Sequence, residues 1–510
     1  MDEEKSFNLI VTDGETFDSA TNHATWTSNE RTIRIYGESS VGSIYLDDIV
    51  DVKTSKNHDL KFVVYPLIGN ERRRRVFEVD CTEADEFKET LLHKLRPPTP
   101  PHRPSQSSID SRRIIVIANS VSGVKNAITS WKRIVQPIFD ECRVSYEFKQ
   151  TERANHAVEI MQKLDINNFT AVCVMSGDGV VTEVIRGLLT RSDRDRALRF
   201  PILHIPCGTS NALAAAMAFK SGEPFSPRGN FCKELALFIA HPVYCSLSLQ
   251  HVETESNGHW PMFMTAAYGL IADIDLGSER FRWAGLARLH IEAFIRIARL
   301  PTLARYRVRI SYKPVEDKQI LRRTLMKTRD IWQKLGSEHF TSGNVEIVDD
   351  TTKKLQNDSV RLVEEAFVGT HLNDTPTLAD SIPKDWITIE GDFAFVCLCS
   401  LSHIGSDLPY IPSARLEEET FYLTLVDWRT LKTRFHMAHL LLTVDRCAHL
   451  EHSSLHMIPV TACRVEPQSQ NGYSAIDGEP FKSASAFQVT STSLKATVIA
   501  REPVNKKDSK

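Results

Sequence analysis

The sequence predicts an α/β domain built on a mainly parallel sheet, preceded by a small β-rich module and followed by a mainly antiparallel β domain. Three observations lead to this prediction. Between residues 113 and 243, apolar runs of strand length alternate with helical apolar spacing, which is typical of a parallel sheet. Residues 96–112 are rich in proline and serine, so they form a linker that cannot build a core. Over residues 244–500 the apolar runs become longer and irregularly spaced, which favours antiparallel strands.

Residues 1–95 are predicted to form the β-rich module, closed by one helix. Its strand-like runs are 32–36, 43–52, 60–68 and 75–80, and the helix after Thr82 carries Phe87, Leu91 and Leu95 on one face. Several strands followed by one amphipathic helix resemble a pleckstrin-homology-like domain. Residues 72–75 are four consecutive arginines. They either lie on a solvated hairpin edge, which we favour, or contact anionic lipid headgroups.

The α/β domain consists of repeated strand and helix units. The predicted strands are 114–118, 144–148, 170–175 and the first part of 201–214. Each is followed by a turn and an amphipathic helix, so the strands should run parallel with helices on both faces. Sheets of this kind bind ligands where strands end and helices begin, and the turns after these strands lie at that edge.

The turn at residues 176–179, Ser-Gly-Asp-Gly, is the centre of this domain. It follows a buried strand and opens a helix with apolar residues at helical spacing. Its two glycines let the backbone approach a ligand, and a helix N-terminus suits a phosphate. Asp178 in such a turn either caps the helix or serves phosphoryl transfer, by accepting a proton or by helping to hold a metal.

The antiparallel domain contains one predicted amphipathic helix and one insertion. The helix spans roughly residues 282–300, and its apolar stripe consists of Ile291, Phe294, Ile295 and Ala298. We expect this stripe to be buried in the β domain, with contact to a lipid bilayer as the alternative. Residues 314–360 are polar and mixed in charge, and are predicted to be a partly disordered surface insertion.

The composition excludes several classes of protein. The 510 residues carry a formal net charge of -3, which argues against a nucleic-acid protein that binds through a basic surface. The ten cysteines lack metal-site spacing and suit a reducing cytosol. Neither a signal peptide nor an apolar run long enough to span a bilayer is evident, so we expect membrane contact to be peripheral.

Several short stretches match one known family. They are 151–157, 176–179, 201–214, 267–288 and 475–479. Together they resemble the diacylglycerol kinase catalytic family, and most closely its sphingosine kinase branch. The resemblance covers roughly residues 113–310 and 390–500. It implies an NAD kinase/diacylglycerol kinase-like fold and a lipid kinase that uses ATP and Mg²⁺.

The resemblance also implies roles for single residues. Asp178 would accept the proton of the attacking hydroxyl. The residues implied for nucleotide binding are Asn119, Ser122, Gly123, Thr151, Ser176, Gly177, Gly179, Gly208, Thr209, Arg282, Arg288, Asp477, Gly478 and Glu479. Metal ligands are left unassigned.

The phosphate loops depart from the family at three places. Ser120 stands in place of a proline, Ser210 stands in place of a glycine, and the family's Gly-Lys-Gly-Lys stretch reads Gly-Val-Lys-Asn at residues 123–126. If position 210 required a positive φ, serine would cost about 1 kcal/mol or more there. Weaker nucleotide binding would follow.

The stretch at 267–288 is the part of the resemblance that concerns the lipid. It implies that Asp275 contacts the amine and hydroxyl of a sphingoid base, with Thr265 and Leu270 also at the substrate. An ammonium entering a dry site needs a carboxylate partner, which makes this role physically coherent. Without the family, Asp273 and Asp275 would be expected simply to end a strand.

We therefore predict a cytoplasmic lipid kinase, peripheral at membranes, whose substrate is a sphingoid base. Ceramide kinase and diacylglycerol kinase are alternatives, although the charge of Asp275 favours a sphingoid base. A catalytically weak lipid-binding adaptor of the same fold is a further alternative, motivated by Ser120 and Ser210. NAD kinase shares a Gly-Asp turn but lacks the lipid-type stretch. No nucleic-acid partner is expected, and the oligomeric state is left open.

Overall fold

A computed structural model describes residues 5–13, 21–36, 43–54, 60–104, 112–119, 124–208, 210–223, 231–278, 280–281, 287–298, 305–324, 357–372, 375–431 and 433–503. Within them the chain forms an N-terminal sheet of seven strands and a second sheet of fourteen. Most of the predicted insertion at 314–360 lies outside the described residues. No helix in the described ranges is long and apolar enough to cross a membrane.

The N-terminal module is an antiparallel sheet with one helix packed on it. Its elements are β1 Ser6–Asp13, β2 Thr21–Thr27, β3 Thr32–Tyr36, β4 Ser43–Tyr45, β5 Ile49–Thr54, β6 Leu60–Val64, β7 Leu67–Ile68, β8 Glu71–Arg72, β9 Arg75–Cys81 and α1 Ala84–Lys94. The sheet order is β4-β3-β2-β1-β9-β6-β5. As predicted, α1 buries Phe87 and Leu91, and the Phe87 ring lies against Phe7 and Trp26. The pleckstrin-homology-like assignment stays a prediction.

A network of buried charges joins this module to the rest of the chain. Arg72 is fully buried and donates to both carboxylate oxygens of Glu223, at 2.7 and 2.9 Å, and to Asp48 at 2.6 Å. Arg501 bonds to the same two carboxylates. Burial is tolerable because every charge has partners of opposite sign. For Arg72, the predicted solvated edge is therefore wrong, and so is its lipid-facing alternative.

The α/β domain alternates strands and helices along the chain. Its elements are β10 Arg113–Asn119, α2 Val124–Ser130, α3 Gln136–Glu141, β11 Ser145–Thr151, α4 His156–Lys163, β12 Ala171–Ser176, α5 Asp178–Leu189, α6 Arg194–Ala197, β13 Ile202–Pro206, α7 Ala212–Lys220 and α8 Phe231–Leu237. The strands run parallel in the order β11-β10-β12-β13, as predicted. Residues 114–118 and 171–175 are at most 2% exposed, as expected for a sheet covered on both faces.

The remaining strands are mostly antiparallel, but they extend the same sheet. These elements are β14 Val243–Thr254, β15 Gly258–Met262, β16 Thr265–Gly269, α9 Leu270–Gly277, α10 Ala287–Ala298, β17 Tyr306–Pro314, α11 Lys318–Thr324, α12 Asn357–Phe367, β18 Ile387–Cys399, β19 Phe421–Asp427, α13 Arg434–Leu442, β20 Leu455–Pro467, β21 Ser474–Ile476, β22 Glu479–Phe481 and β23 Phe487–Ala500. β23 pairs in parallel with β13, and antiparallel with β14 and β20. One continuous sheet therefore spans residues 113–500.

Helix α10 does not bury the stripe predicted for it. That stripe consists of Ile291, Phe294, Ile295 and Ala298. Phe294 is 73% exposed, so its predicted burial in the β domain is wrong. The helix instead buries Glu292, whose carboxylate accepts from Arg280 at 2.6 Å and from Arg296 at 2.7 Å. These ion pairs allow a charged residue to face inward, which apolar spacing alone could not indicate.

Candidate active site

The turns after the parallel strands lie side by side at one edge of the sheet. Asn119 and Thr151 are register partners at the ends of β10 and β11, and Ser176 pairs with Pro206 at the ends of β12 and β13. The Thr151 hydroxyl lies 3.5 Å from the amide oxygen of Asn119. Because parallel strands all end at one edge, four distant segments meet here, as predicted.

Gly177 and Gly208 are in backbone contact. A methyl group at Gly208 would lie 2.2 Å from Cα of Gly177, so a side chain has no room there. The two glycine turns thus form a narrow backbone surface at the starts of α5 and α7. Such a surface lets a phosphate approach closely, and helix N-termini favour its negative charge.

Asp178 is the first residue of α5 and is almost completely buried. Its carboxylate accepts hydrogen bonds from the backbone N–H of Ala212 at 2.8 Å and of Leu213 at 3.0 Å, the first residues of α7. Asp178 therefore caps the neighbouring helix and links the two glycine turns. Each oxygen retains a second lone pair, so the carboxylate can still accept a proton. Its role as the proton acceptor stays a prediction.

His204 lies next to this carboxylate. Its Nε2 lies 2.9 Å from the carbonyl oxygen of Ser176, a distance at which Nε2–H donates. Its Nδ1 lies 3.9 Å from Oδ1 of Asp178 and has no hydrogen-bond partner among the described residues. Burial lowers the pKa of His204. The ring is therefore neutral and does not compensate the charge of Asp178.

The hairpin between β21 and β22 approaches the same turn. Its loop residues Asp477 and Gly478 have φ values of 49° and 83°, as in a type I′ turn. A methyl group at Gly179 would lie 3.4 Å from Oε1 of Glu479, so Glu479 reaches the start of α5. The buried Asp477 carboxylate instead accepts three backbone N–H groups of residues 263–265, at 2.8 to 3.1 Å. Asp477 thus fixes the hairpin in place.

The residues predicted for lipid recognition lie on β16 and α9. Thr265 begins β16, and its N–H is one of those that bond to Asp477. Leu270 is buried in the core, whereas Asp275 is half-buried within α9. The expectation that the aspartates end a strand is wrong, because the strand ends at Gly269. Its φ of 89° turns the chain directly into a helix.

Asp273 has a structural role that the sequence did not reveal. Its buried carboxylate accepts from the hydroxyl of Tyr306, from Arg296 at 2.6 Å and from the N–H of Tyr473 at 2.7 Å. Burial raises the pKa of Asp273, and these donors oppose that rise. Asp273 holds α9 against its neighbours, which leaves Asp275 as the more accessible aspartate of the stretch.

A second carboxylate near the turn also bridges two helices. Glu183 of α5 accepts the N–H groups of Asn155 and Ala157, both at 3.0 Å, at the start of α4. Burial raises the pKa of Glu183 to about 7. Arg186, one turn further along α5, bonds to the Asn155 side chain at 3.1 Å and stacks on the Trp260 ring.

Some predicted nucleotide-binding residues lie outside the described residues. They are Ser122, Gly123, Thr209 and Arg282, together with the side chain of Arg288. Their roles stay predictions. In the described part of the chain, no group of three or more His, Cys, Asp or Glu side chains is arranged to hold a metal ion. No side chain is therefore assigned as a metal ligand.

Ser210 does not adopt the strained conformation considered from the sequence. The positive φ falls one residue later, at Asn211, with φ 52°. Asparagine tolerates this region because its short side chain bonds locally. Here its oxygen accepts from the N–H of Gly208 at 3.0 Å. The expected cost of Ser210 is absent, which removes one of the two reasons for an inactive adaptor; the other, Ser120, lies outside the described residues.

Comparisons with known proteins show which proteins the chain is similar to. Residues 113–235 match the model of the diacylglycerol kinase catalytic domain. Human sphingosine kinase 1 is 29% identical over 370 residues, which are 72% of this chain and 85% of that protein. Sphingosine kinase 1 of Caenorhabditis elegans is 27% identical over 373 residues, 72% of this chain and 77% of that protein. A solved diacylglycerol kinase structure from Bacillus anthracis aligns at 11% identity with a TM-score of 0.41, over 77% of this chain and 98% of that one. Over most of its length the chain is therefore similar to sphingosine kinases, and its residues 113–235 match the diacylglycerol kinase catalytic domain.

Proposed function

We propose that the protein transfers the γ-phosphate of ATP to the primary hydroxyl of a sphingoid base such as sphingosine, giving sphingosine 1-phosphate. The observation that carries this proposal is the backbone contact of Gly177 with Gly208, with Asp178 anchored beside it. A backbone surface at two helix N-termini suits phosphate oxygens, and phosphoryl transfer needs an acid next to them. The sphingosine kinase relatives support the same activity.

The residues at the sheet edge fit the phosphates of a nucleotide. Gly177, Gly179 and Gly208 would lie against them, because all three are partly exposed in the turns at this edge of the sheet. Asn119 and Thr151 would flank the nucleotide at the ends of their strands. Mg²⁺ is usually held by phosphates, water and one or two carboxylates, so a site without a dedicated side-chain cage suits it. When bound, Mg²⁺ neutralises charge on the phosphates.

Asp178 would accept the proton of the lipid hydroxyl. Its two hydrogen bonds to α7 hold the carboxylate in one orientation, which lowers the cost of positioning it for reaction. They also leave a lone pair on each oxygen for the incoming proton. General-base catalysis of this kind typically contributes about 10²- to 10⁴-fold in rate.

Asp275 would select a charged lipid. Asp275 is half-buried in α9, which directly follows the strand that Thr265 begins. Sphingosine presents an ammonium that this carboxylate can pair with, whereas ceramide has a neutral amide and diacylglycerol has esters. We therefore favour a sphingoid base over the other two lipids.

We further propose that the enzyme is cytoplasmic and peripheral at membranes. Large apolar side chains are exposed on α10 and α13: Phe294 at 73%, Phe435 at 71% and Leu442 at 64%. The two helices adjoin, since Arg434 lies 3.5 Å from the carbonyl oxygen of Ala298. Exposed aromatic and aliphatic residues on neighbouring helices suit insertion at a bilayer surface. No disulfide bond joins any of the ten cysteines, which fits a reducing compartment.

The test is phosphorylation of separate lipids by the purified full chain. Labelled ATP and Mg²⁺ are supplied with sphingosine, ceramide or diacylglycerol, and the lipid that gains phosphate is identified. We expect sphingosine to be the substrate. Asp275→Asn should raise its KM by the equivalent of roughly 2 to 5 kcal/mol, because the ammonium is left unpaired. Asp273→Asn is the matched control and should lower stability without changing the preference among lipids. Phosphorylation of a neutral lipid in preference to sphingosine would contradict the assignment.

A further inference from the structure

A loop from the antiparallel part of the sheet holds the Gly208 turn. The 402–411 loop follows β18 and is closed on itself, since the N–H of Ile404 donates to the carbonyl oxygen of Leu408 at 3.1 Å. The hydroxyl of Ser210 donates to the carbonyl oxygen of Ile404 at 2.7 Å. The residue that departs from the family's glycine therefore anchors the phosphate turn to this loop.

Ser406 makes the reciprocal connection. Its hydroxyl donates to the carbonyl oxygen of Ser210 at 3.0 Å and accepts from Nδ2 of Asn211 at 3.2 Å. Asn211 in turn bonds to both the N–H and the carbonyl oxygen of Gly208, at 3.0 and 2.9 Å. Ser406 and Asn211 are 8% and 6% exposed, so water competes little for these bonds. The Gly208 backbone is thus fixed through a short chain of buried hydrogen bonds.

The residues just before the 402–411 loop lie beside β16, the strand proposed to contact the lipid. Cys399, the last residue of β18, is the register partner of Thr265. Ser400 follows it and bonds to the carbonyl oxygen of Phe263 at 3.0 Å. Further along, the buried His403 ring packs against Phe219 of α7, with ring centroids 5.4 Å apart. A few residues therefore connect the strand proposed to contact lipid with the helix and turn proposed to contact phosphate.

We propose that Ser210 and Ser406 are positioning residues that hold the Gly208 turn for ATP and couple it to lipid binding. This inference rests on the proposed function of the two sides of the site. Serine at position 210 then strengthens nucleotide binding, because its hydroxyl connects the Gly208 turn to the 402–411 loop. Coupling between two binding sites is reciprocal, so a lipid that orders the loop strengthens ATP binding by the same factor as ATP strengthens lipid binding.

The first test measures binding of a non-hydrolysable ATP analogue with Mg²⁺ by titration calorimetry on the full chain. Ser406→Ala removes two hydrogen bonds and should weaken binding by about 5- to 10-fold. Ser210→Gly, which restores the glycine typical of the family, should weaken it as well. Ser406→Thr keeps a hydroxyl and should retain most of the affinity. Ser454→Ala is the matched control, because it removes a buried hydroxyl that bonds to a backbone carbonyl, that of Thr430, outside this loop.

The second test repeats the titration in the presence of sphingosine. Wild type should bind the analogue about fivefold more tightly with the lipid present, within the usual range of coupling between sites. The double variant Ser210→Gly, Ser406→Ala should lose this gain, whereas Ser454→Ala should keep it. Melting temperatures of all variants show whether each remains folded.

The outcomes separate this inference from the proposed function. If wild type fails to bind the ATP analogue, the proposed function is wrong and the inference falls with it. If wild type binds, but folded Ser406→Ala and Ser210→Gly bind equally well, ATP use stands and the positioning role is overturned. If affinity falls in these variants without any effect of sphingosine in wild type, the coupling is overturned.

Discussion

Buried carboxylates at two places in this molecule have different kinds of hydrogen-bond donor. At the candidate active site, Asp178 is held by two backbone N–H groups of α7. At the junction with the N-terminal module, Asp48 and Glu223 are held by the guanidinium groups of Arg72 and Arg501. Backbone donors orient a carboxylate without cancelling its charge, whereas guanidinium groups neutralise it. The first arrangement leaves a group able to react, and the second fixes two parts of the chain together.

The comparison also shows why one group is visible in the sequence and the other is not. Asp178 lies between two glycines, after a strand and before a helix, so the four adjacent residues 176–179 are enough to predict a ligand site. The members of the ion network are far apart in sequence, and each looks like an ordinary surface charge. Only folding brings them together. Charged residues with no local motif can therefore be the more important ones for stability.

The largest expected effect comes from breaking the ion network. Arg72→Ala leaves Asp48 and Glu223 without their main partner in a buried site, so the free energy of unfolding should fall by about 3 to 5 kcal/mol. Urea denaturation measures it. The neighbouring Arg73→Ala is the matched control, because Arg73 is exposed and its change should stay within about 0.5 kcal/mol. Equal stability of both variants would show that the network does not hold the module.

Asp178→Asn should reduce catalytic turnover more than it reduces stability. Turnover should fall by about 10²-fold or more, because an amide cannot take the proton. The side-chain NH₂ also cannot accept an N–H of α7, so stability should fall by about 1 to 3 kcal/mol. The assay is turnover per folded molecule, with the folded fraction taken from the melting curve. Near wild-type turnover would leave Asp178 with its capping role alone.

Lowering the pH should reduce the stability of the fold, because it contains buried neutral histidines. Burial lowers the pKa of His403 to about 3, and that of His102 and of His449 to about 4. A histidine whose pKa is lowered in the folded state binds a proton more readily in the unfolded state, where its pKa is near 6.5. The folded state therefore keeps its full stability above about pH 6.5 and loses stability as the pH falls below that value. Each such histidine should cost about 1.4 kcal/mol per pH unit between about pH 6 and its folded pKa. His403→Gln should reduce the slope of unfolding free energy against pH by about that amount; an unchanged slope would show that His403 is protonated in the fold.

The smallest effect tests the exposed apolar surface. Phe294→Glu should reduce binding to anionic vesicles by at least about threefold, since it removes apolar area and adds a repelled charge. Its melting temperature should change little, because Phe294 is 73% exposed. Leu92→Glu, at another exposed apolar residue on α1, is the control and should bind like wild type. Equal vesicle binding by both variants would place the membrane contact elsewhere.

Much of the fold and of the site followed from local patterns. The alternating strands and helices predicted the parallel sheet, and the glycine turns predicted which edge of it carries the site. The lipid-type stretch predicted a resemblance to sphingosine kinases, and the comparisons confirm that similarity. For α10 the apolar pattern gave the wrong buried face: Phe294 is exposed and Glu292 is buried. The reason is that the ion pairs of Glu292 with Arg280 and Arg296 stabilise a charged residue on the inner face of the helix.

The sequence by itself determined the alternation of strands and helices in the α/β domain, the Gly-Asp turn and the resemblance to sphingosine kinases, because each depends on residues within a few positions of one another. The tertiary structure alone decided that β23 joins both parts into one sheet, that Arg72 is buried between Asp48 and Glu223, and that Ser406 meets Ser210. These contacts join segments that are dozens to hundreds of residues apart. Hydrophobic periodicity and turn propensity act over one helix or strand, whereas pairing of distant polar groups is set by how the completed elements pack.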